Sequence, residues 1–395
     1  MNTILFDQSC RQDLLPLTFT KPACELRVGI ITIKEKWEKH LNKKVSYQTA
    51  EYLQAKFPLI KESDNLLING SILPNKEIIN EIKQLELGQI LVKENIPVAA
   101  VVKDFRVESV NFIGFDNFQI IDASSDFKQI CFPWDIFSLN GEEIENDFKL
   151  LTQNKVSQDL SKNVKALEIK NIFLEEGAKV EFATLNPNGG YIYIGKDAEI
   201  MDGSVVRGSL ALCEHSVLKL GAKIYGPSTI GPYSKVGGEV NNSVLQGYSN
   251  KGHDGFLGNS VLGEWCNLGA DTNNSNLKNN YAEVKLWNYK KKGFIRSGKQ
   301  FCGLIMGDHS KCGINTMFNT GTVVGVSANI FGSGFPRNFI PSFSWGGASG
   351  FTTYKLNKAF ETAELVLSRR NKELDDIEKA ILEEVFKQTE EFRTK

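Results

Sequence analysis

Between residues 194 and 236 the apolar positions keep a step of six. Ile194, Ile200, Val206, Leu212, Leu218, Ile224, Ile230 and Val236 all fall on it. Most are followed at +4 by a small residue: Ala198, Ser204, Ser216, Ala222, Ser228 and Ser234, with Leu210 the exception. A second series, Met306, Cys312, Phe318, Val324 and Ile330, keeps the same step, with Ser310, Thr316, Thr322 and Ala328 at +4. Leu174 and Val180 fit an earlier coil. A helix repeats at about 3.6 residues and a strand at about 2, so a sustained six is neither. It predicts a parallel β-helix of hexapeptide repeats. Each hexad supplies one flat wall, and three make a triangular coil. The aliphatic residue points inward, the small one lets the chain turn the corner, and stacked coils share one core.

The step breaks between Val236 and Leu257, and again between Leu268 and Met306. Both breaks predict loops leaving the prism, and insertions in solenoids gather on the working face. The first holds "NKGHDGFLGNSVLGEWCNLGAD" (250–271), the second "YAEVKLWNYKKKGFIRSG" (281–298). The stretch "SGFPRNFIPSFSWGG" (333–347) is expected to cap the prism.

Before residue 150 short apolar strands (3–6, 66–69, 89–92) alternate with helical stretches (29–40, 76–84), which predicts an α/β layer. Residues 140–163 are polar and predict a crossing helix and linker. Beyond residue 353 the pattern is helical, with Leu374, Ile377, Ile381, Val385 and Phe392 near one face. The predicted organisation is an α/β domain over 1–150, a linker helix over 151–170, the β-helix over 171–350 and a helical segment over 351–395.

The chain has 395 residues with 46 basic and 47 acidic side chains, a net charge of −1. That balance excludes a sequence-independent nucleic-acid binder, which needs a basic excess. No apolar run approaches the ~20 residues that cross a bilayer. The opening MNTILFDQSCRQD lacks the order of a secretory signal. The seven cysteines (10, 24, 131, 213, 266, 302, 312) are scattered and never spaced as CxxC. Neither a disulfide framework nor a zinc ribbon is expected, and a cytoplasmic setting is simplest. No Cys/His/Asp cluster has metal-ligand spacing.

His253 is one of four histidines and lies in the first break. Its ordinary pKa of about 6.5 suits removal of a proton from an attacking amine or hydroxyl. On the residues alone it reads equally as a surface-loop histidine. His215 and His309 sit within regular hexads and are expected to face outward without a catalytic role.

The stretch GHDGFLGNSVLGEWCNLGA resembles the acetyltransferase coil of the bifunctional N-acetylglucosamine-1-phosphate uridyltransferase/glucosamine-1-phosphate N-acetyltransferase family. The opening DLLPLTFTKPACELRVGI is similar to the start of sugar nucleotidyltransferases, and the nearest pattern is a group with a shortened N-terminal domain. The resemblance implies a truncated nucleotidyltransferase-like α/β domain, a left-handed parallel β-helix, a C-terminal helix and a homotrimer. It implies His253 as general base and Asn267 as an orienting residue. Gly269 and Ala270 fall near acetyl-coenzyme A, and Asn280, Tyr281 and Lys285 near substrate. Lys251, Asp254 and Phe256 flank the histidine as substrate-side candidates. Phe256 stands where the family has tyrosine, so one hydroxyl is missing. The family's phosphate-binding basic residues ahead of the histidine are not reproduced; Lys235 and Lys251 are the nearest.

In the first domain, Arg11 and Lys21 stand where the family has phosphate-contacting residues, and Asp7 is the candidate for Mg²⁺. A triphosphate loop needs glycine so that backbone amides can approach, yet FDQSCRQDLLPLT has none. Three functions follow. One is coenzyme-A-dependent acyl transfer to an amino sugar phosphate or nucleotide-sugar. Another is sugar-1-phosphate nucleotidyl transfer with the β-helix as scaffold. The third is a non-catalytic binding relic.

Overall fold

The structure is a computed structural model and describes residues 1–103 and 118–393. It divides into two compact units: Met1–Leu26 with Ile31–Phe132, and Arg27–Ile30 with Pro133–Lys395.

The first unit is built on a mixed sheet. Among the described residues its strands lie in the order Ser46–Gln48, Asn2–Phe6, Asp64–Asn69, Ile96–Lys103, Gln89–Lys93 and Gln119–Asp122. Ile4, Phe6, Leu67, Ile90, Ala100 and Val102 pack one apolar cluster on it. The helix expected over 29–40 begins only at Ile33, because Thr32 caps it. Thr32 Oγ1 accepts from the Glu35 amide, and the Glu35 carboxylate accepts from the Thr32 amide. Asn75 caps the second helix, Lys76–Lys83, in the same way from one side. Cys10 and Cys131 form a disulfide across 121 residues of chain. The cysteine spacing did not predict it, since only the fold brings the two together; the other five cysteines are outside any disulfide and buried.

The second unit begins with the helix Pro133–Thr152, earlier than the 140–163 expected, with proline at its first position. Three parallel walls follow. The first runs from Ile172–Leu174 to Phe339–Ile340, and the second from Lys179–Val180 to Ser344–Gly347. The third runs from Lys165–Ala166 to Phe256–Gly258 and is continued by the pair Asn273–Asn274 and Met317–Phe318. The hexad aliphatics form the shared core: Ile200, Leu218, Val236 and Ile330 of the second wall are each at most 1% exposed. This is the predicted β-helix.

Two expectations are corrected. The first break in the hexads is not a projecting loop. The chain continues through Glu239–Asn241, Val244–Gly247 and Asn250–Lys251, pairing Ile224 with Val240, Ile230 with Leu245 and Val236 with Lys251. The step of six disappears because the corners shorten and because a lysine takes an inward position. The stretch 333–347 does more than cap. It adds Phe339–Ile340 and Ser344–Gly347 to two walls and then turns back as the hairpin strand Gly350–Thr353. The second break does leave the prism, as the antiparallel hairpin of Lys285–Asn288 with Gly293–Arg296.

Two helices, Leu356–Ser368 and Asp376–Gln388, end the unit. In the second, Ile381, Leu382 and Val385 are buried, but Ile377 of the expected stripe is 39% exposed. No helix among the described residues is long and apolar enough to cross a membrane.

Candidate functional site

On the outer side of the second wall, strand register stacks one outward residue per coil. Lys235 pairs with Asn250, Asn250 with Asn267, Asn267 with Lys311, Lys311 with Asn329 and Asn329 with Trp345. Neighbouring strands are about 4.8 Å apart, so these side chains form a polar row. A cavity of about 710 Å³ lies over it, walled on the far side by Thr362, Val366, Arg369 and Arg370 at the 356–368 helix and its end.

His253 opens onto this cavity, as do Asn267, Gly269 and Ala270. His253 is exposed and turns the corner after Lys251. Its ring makes no hydrogen bond among the described residues, so Asp254, exposed beside it, does not orient it here. Lys251 is not at the substrate side, contrary to expectation. It fills an inward position, 2% exposed, and its Nζ donates to the carbonyls of Gly237 (2.9 Å) and His253 (2.6 Å). Burial pushes its pKa down to about 8, against the opposing pull of Asp254 and Asp271. The lysine ties the His253 corner to the core.

Other expected residues lie elsewhere. Phe256 starts a third-wall strand, with its amide bonded to Asn273 Oδ1, and does not line the cavity. Asn280 and Tyr281 are exposed in the excursion before the hairpin, Tyr281 at 66%. Lys285 is exposed on the hairpin itself.

Spacing alone did not reveal the charge of the site. Lys219, Lys235, Lys311, Arg369 and Arg370 line the same cavity, and none has a carboxylate partner among the described residues. Burial lowers the Lys235 pKa, and the neighbouring Arg370, Lys219 and Arg369 lower it further. Burial likewise pushes Lys311 down to about 8. Cations crowded so closely, with no salt bridge among the described residues, favour an anionic ligand. Asn250 adds a second sign of one: its Oδ1 is buried without a donor, and a buried acceptor left so is costly. Register between strands is what brings these residues together, and no local motif records it.

An aromatic ladder edges the cavity. His215, Tyr233, Tyr248, Trp265 and His309 stack at centroid spacings of 4.7, 5.0, 4.3 and 6.4 Å. All five have φ between 53° and 64°, a region that costs non-glycine residues about a kcal/mol or more each. Ring stacking offsets part of that cost. His215 and His309 thus form the two ends of this ladder, at hexad positions.

In the first unit Asp7 and Arg11 do meet, but as a closed pair. Asp7 is 2% exposed. Its Oδ1 accepts from the Ala23 amide, and its Oδ2 accepts from Thr49 and lies 3.2 Å from Arg11 Nε. Burial raises the Asp7 pKa, with Arg11 the largest opposing influence. Arg11 also donates to the Thr18 carbonyl (2.9 Å) and to Tyr52 Oη (2.8 Å). Lys21 is 5% exposed. Both Asp7 oxygens are occupied by protein donors, and no metal-holding group of three His, Cys, Asp or Glu occurs among the described residues. These residues do not fit a Mg²⁺ ion.

Residues 3–156 match the family model described as sugar nucleotidyl transferase. A bifunctional sugar-1-phosphate nucleotidylyltransferase/acetyltransferase of Sulfurisphaera tokodaii is 28% identical over 272 residues, 68% of this chain and 58% of that protein. The chain therefore spans little more than half of that relative's length. The bifunctional protein GlmU of Methanocaldococcus jannaschii is 37% identical over 87 residues, 22% of this chain and 21% of that protein. LpxA, a UDP-N-acetylglucosamine acyltransferase from Bacteroides fragilis, is a distant structural neighbour. It covers 60% of this chain and 92% of its own at 13% identity and a TM-score of 0.29, so the fold here rests on the strand pairing. Residues 3–156 thus match the sugar nucleotidyl transferase family model, and the chain is similar to the bifunctional sugar-1-phosphate nucleotidyltransferase/acetyltransferase proteins, as its two sequence motifs implied.

Proposed function

We propose that this chain is a transferase whose second unit moves an acyl group from a coenzyme-A thioester, acetyl-coenzyme A in the simplest case. The acceptor is the amino group of an anionic sugar, a sugar phosphate or nucleotide-sugar. The observation that carries this reading is the cavity itself, where exposed His253 meets five cations that form no salt bridge among the described residues and the orphaned Asn250 carbonyl. The name of the Sulfurisphaera relative supports the same class.

In this reading His253 accepts a proton from the amine as its nitrogen attacks the thioester carbonyl. The C–N bond forms, the C–S bond breaks, and the imidazolium returns its proton to the departing thiolate. Asn250 Oδ1 is suited to accept from the amine, and Asn267 to orient the sugar. The cations hold the phosphate.

The reading extends to a homotrimer in the cytoplasm. Exposed Phe182, Leu220 and Ile314, at 60, 68 and 71%, each follow an inward second-wall residue by two positions, as His253 does. They support self-association along that edge.

The test is thiol release from acetyl-coenzyme A with a panel of amino sugar phosphates and nucleotide-linked amino sugars. His253→Ala is expected to lower the rate by about 10²–10⁴-fold with an unchanged melting temperature. No thiol release by the wild-type protein with any acceptor overturns the proposal.

The match over residues 3–156 favours a second reading, nucleotidyl transfer by the first unit. The closed Asp7–Arg11 pair speaks against it. Magnesium-dependent pyrophosphate release from a nucleoside triphosphate with a sugar 1-phosphate would establish it.

A further inference from the structure

Lys235 lines the His253 cavity from the outer face of its short strand, Lys235–Val236. It is exposed, and its ammonium forms no hydrogen bond or salt bridge among the described residues. Two other cationic residues are fixed against the same strand. Arg370 donates to the carbonyl of Tyr233, two residues before Lys235 (3.5 Å). The Lys219 amide donates to the carbonyl of Val236, one residue after it (2.7 Å). Arg369, next to Arg370 in sequence, lines the cavity as well. Glu199 opposes these charges from two strands below on the same row, about 10 Å away.

An amine beside several cations gives up its proton more readily than an ordinary lysine, and becomes a nucleophile. Burial lowers the Lys235 pKa, and Arg370, Lys219 and Arg369 lower it further. Asn250 is its register partner on the next strand, about 4.8 Å off, and the Asn250 Oδ1 is the buried acceptor without a donor. A lysine stem reaches roughly 6 Å from its Cα. The Lys235 ε-amine can therefore stand at Asn250, where the acyl-transfer reading puts the amine of the acceptor.

We propose that Lys235 is a self-acylation site: when donor is bound without acceptor, its ε-amine attacks the thioester and becomes an amide. This rests on the acyl-transfer reading. The neutral amine forms a C–N bond to the acyl carbon, the C–S bond breaks, and one amine proton passes through His253 to the departing thiolate. The products are acyl-lysine and free thiol, so no further reactant is required. The amide is uncharged, and the cavity keeps four of its five cations. An anionic acceptor is then held less tightly, so a donor that outruns its acceptor throttles the site.

The test is quantitative peptide mass spectrometry of the full chain incubated with acetyl-coenzyme A alone. Exposed Lys291, on the 285–296 hairpin, is the internal reference. The acetyl adduct should form about tenfold or more faster at Lys235 than at Lys291. His253→Ala should slow it at Lys235 by about tenfold or more and leave Lys291 unchanged. Inorganic phosphate, which loads the cation cluster, should protect Lys235 and not Lys291. Equal rates at the two lysines overturn the proposal, as does a Lys235 rate indifferent to His253→Ala or to phosphate. Thiol release to an amino sugar phosphate with no adduct at Lys235 ends self-acylation and leaves acyl transfer standing. If neither occurs, the acyl-transfer reading fails and the modification site goes with it.

Discussion

From inside the prism, Lys251 Nζ donates to the carbonyl of His253 at 2.6 Å. The residue two places before the proposed base is its anchor. Lys251→Met keeps the length and removes the ammonium. The melting temperature should hold or rise, because a buried charge is costly. The rate of thiol release should fall by about tenfold to a hundredfold, since small misplacements of a reacting group act on kcat. A rise in KM with unchanged kcat would show instead that Lys251 contacts substrate.

The same lysine predicts a pH dependence. Lys251 titrates near 8 in the folded chain and an unfolded lysine near about 10.4. Between these values the unfolded chain holds a proton that the folded chain lacks, so stability rises with pH across the window. The penalty is complete below the lower value and gone above the upper. For Lys251 it amounts to about 3 kcal/mol. Lys311, also pushed down to about 8, adds in the same direction. Urea unfolding at several pH values should show this slope, and Lys251→Met should flatten it.

Arg369 and Arg370 reach the cavity from the end of the 356–368 helix. Replacing either by alanine should weaken an anionic acceptor by about tenfold, the worth of one charged hydrogen bond. The loss should shrink at high salt and leave the melting temperature unchanged. Titration at two ionic strengths checks this, and salt-independent weakening would contradict the assignment.

Gly255 and Gly252 flank the His253 corner and should respond differently to alanine. Gly255 has φ +111°, and a Cβ there would lie 2.2 Å from the Thr272 carbonyl oxygen; at Gly252 nothing lies within 4 Å. Gly255→Ala should destabilise by about 2 kcal/mol or more, whereas Gly252→Ala should be near neutral. Chemical denaturation of both variants decides it.

Asp7 is predicted to support structure. Asp7→Ala leaves the Arg11 guanidinium without its carboxylate in a largely buried site, at a cost of about 3 kcal/mol. Unfolding should weaken accordingly while thiol release by the folded protein is untouched.

The hexad aliphatics made the β-helix legible because a six-residue period has no other regular home, and nearly every inward position is apolar in sequence. The GHDGF and NLGA stretches brought His253, Asn267, Gly269 and Ala270 to one site because they lie on adjacent coils. Lys251 shows where local reading fails: a lysine beside a histidine looks like a solvent-facing substrate contact. Only the shortened corners turn it inward. Asp7 and Arg11 fail in the opposite way, since both residue types suit a nucleotide site but saturate each other.

The sequence by itself determined the prism, its apolar inward columns and the stretch that carries His253, because burial repeats with the coil. Tertiary structure alone decided the cation cluster and the orphaned Asn250 carbonyl. Those depend on register between strands 15–44 residues apart and on a helix laid across them, and no local pattern encodes either.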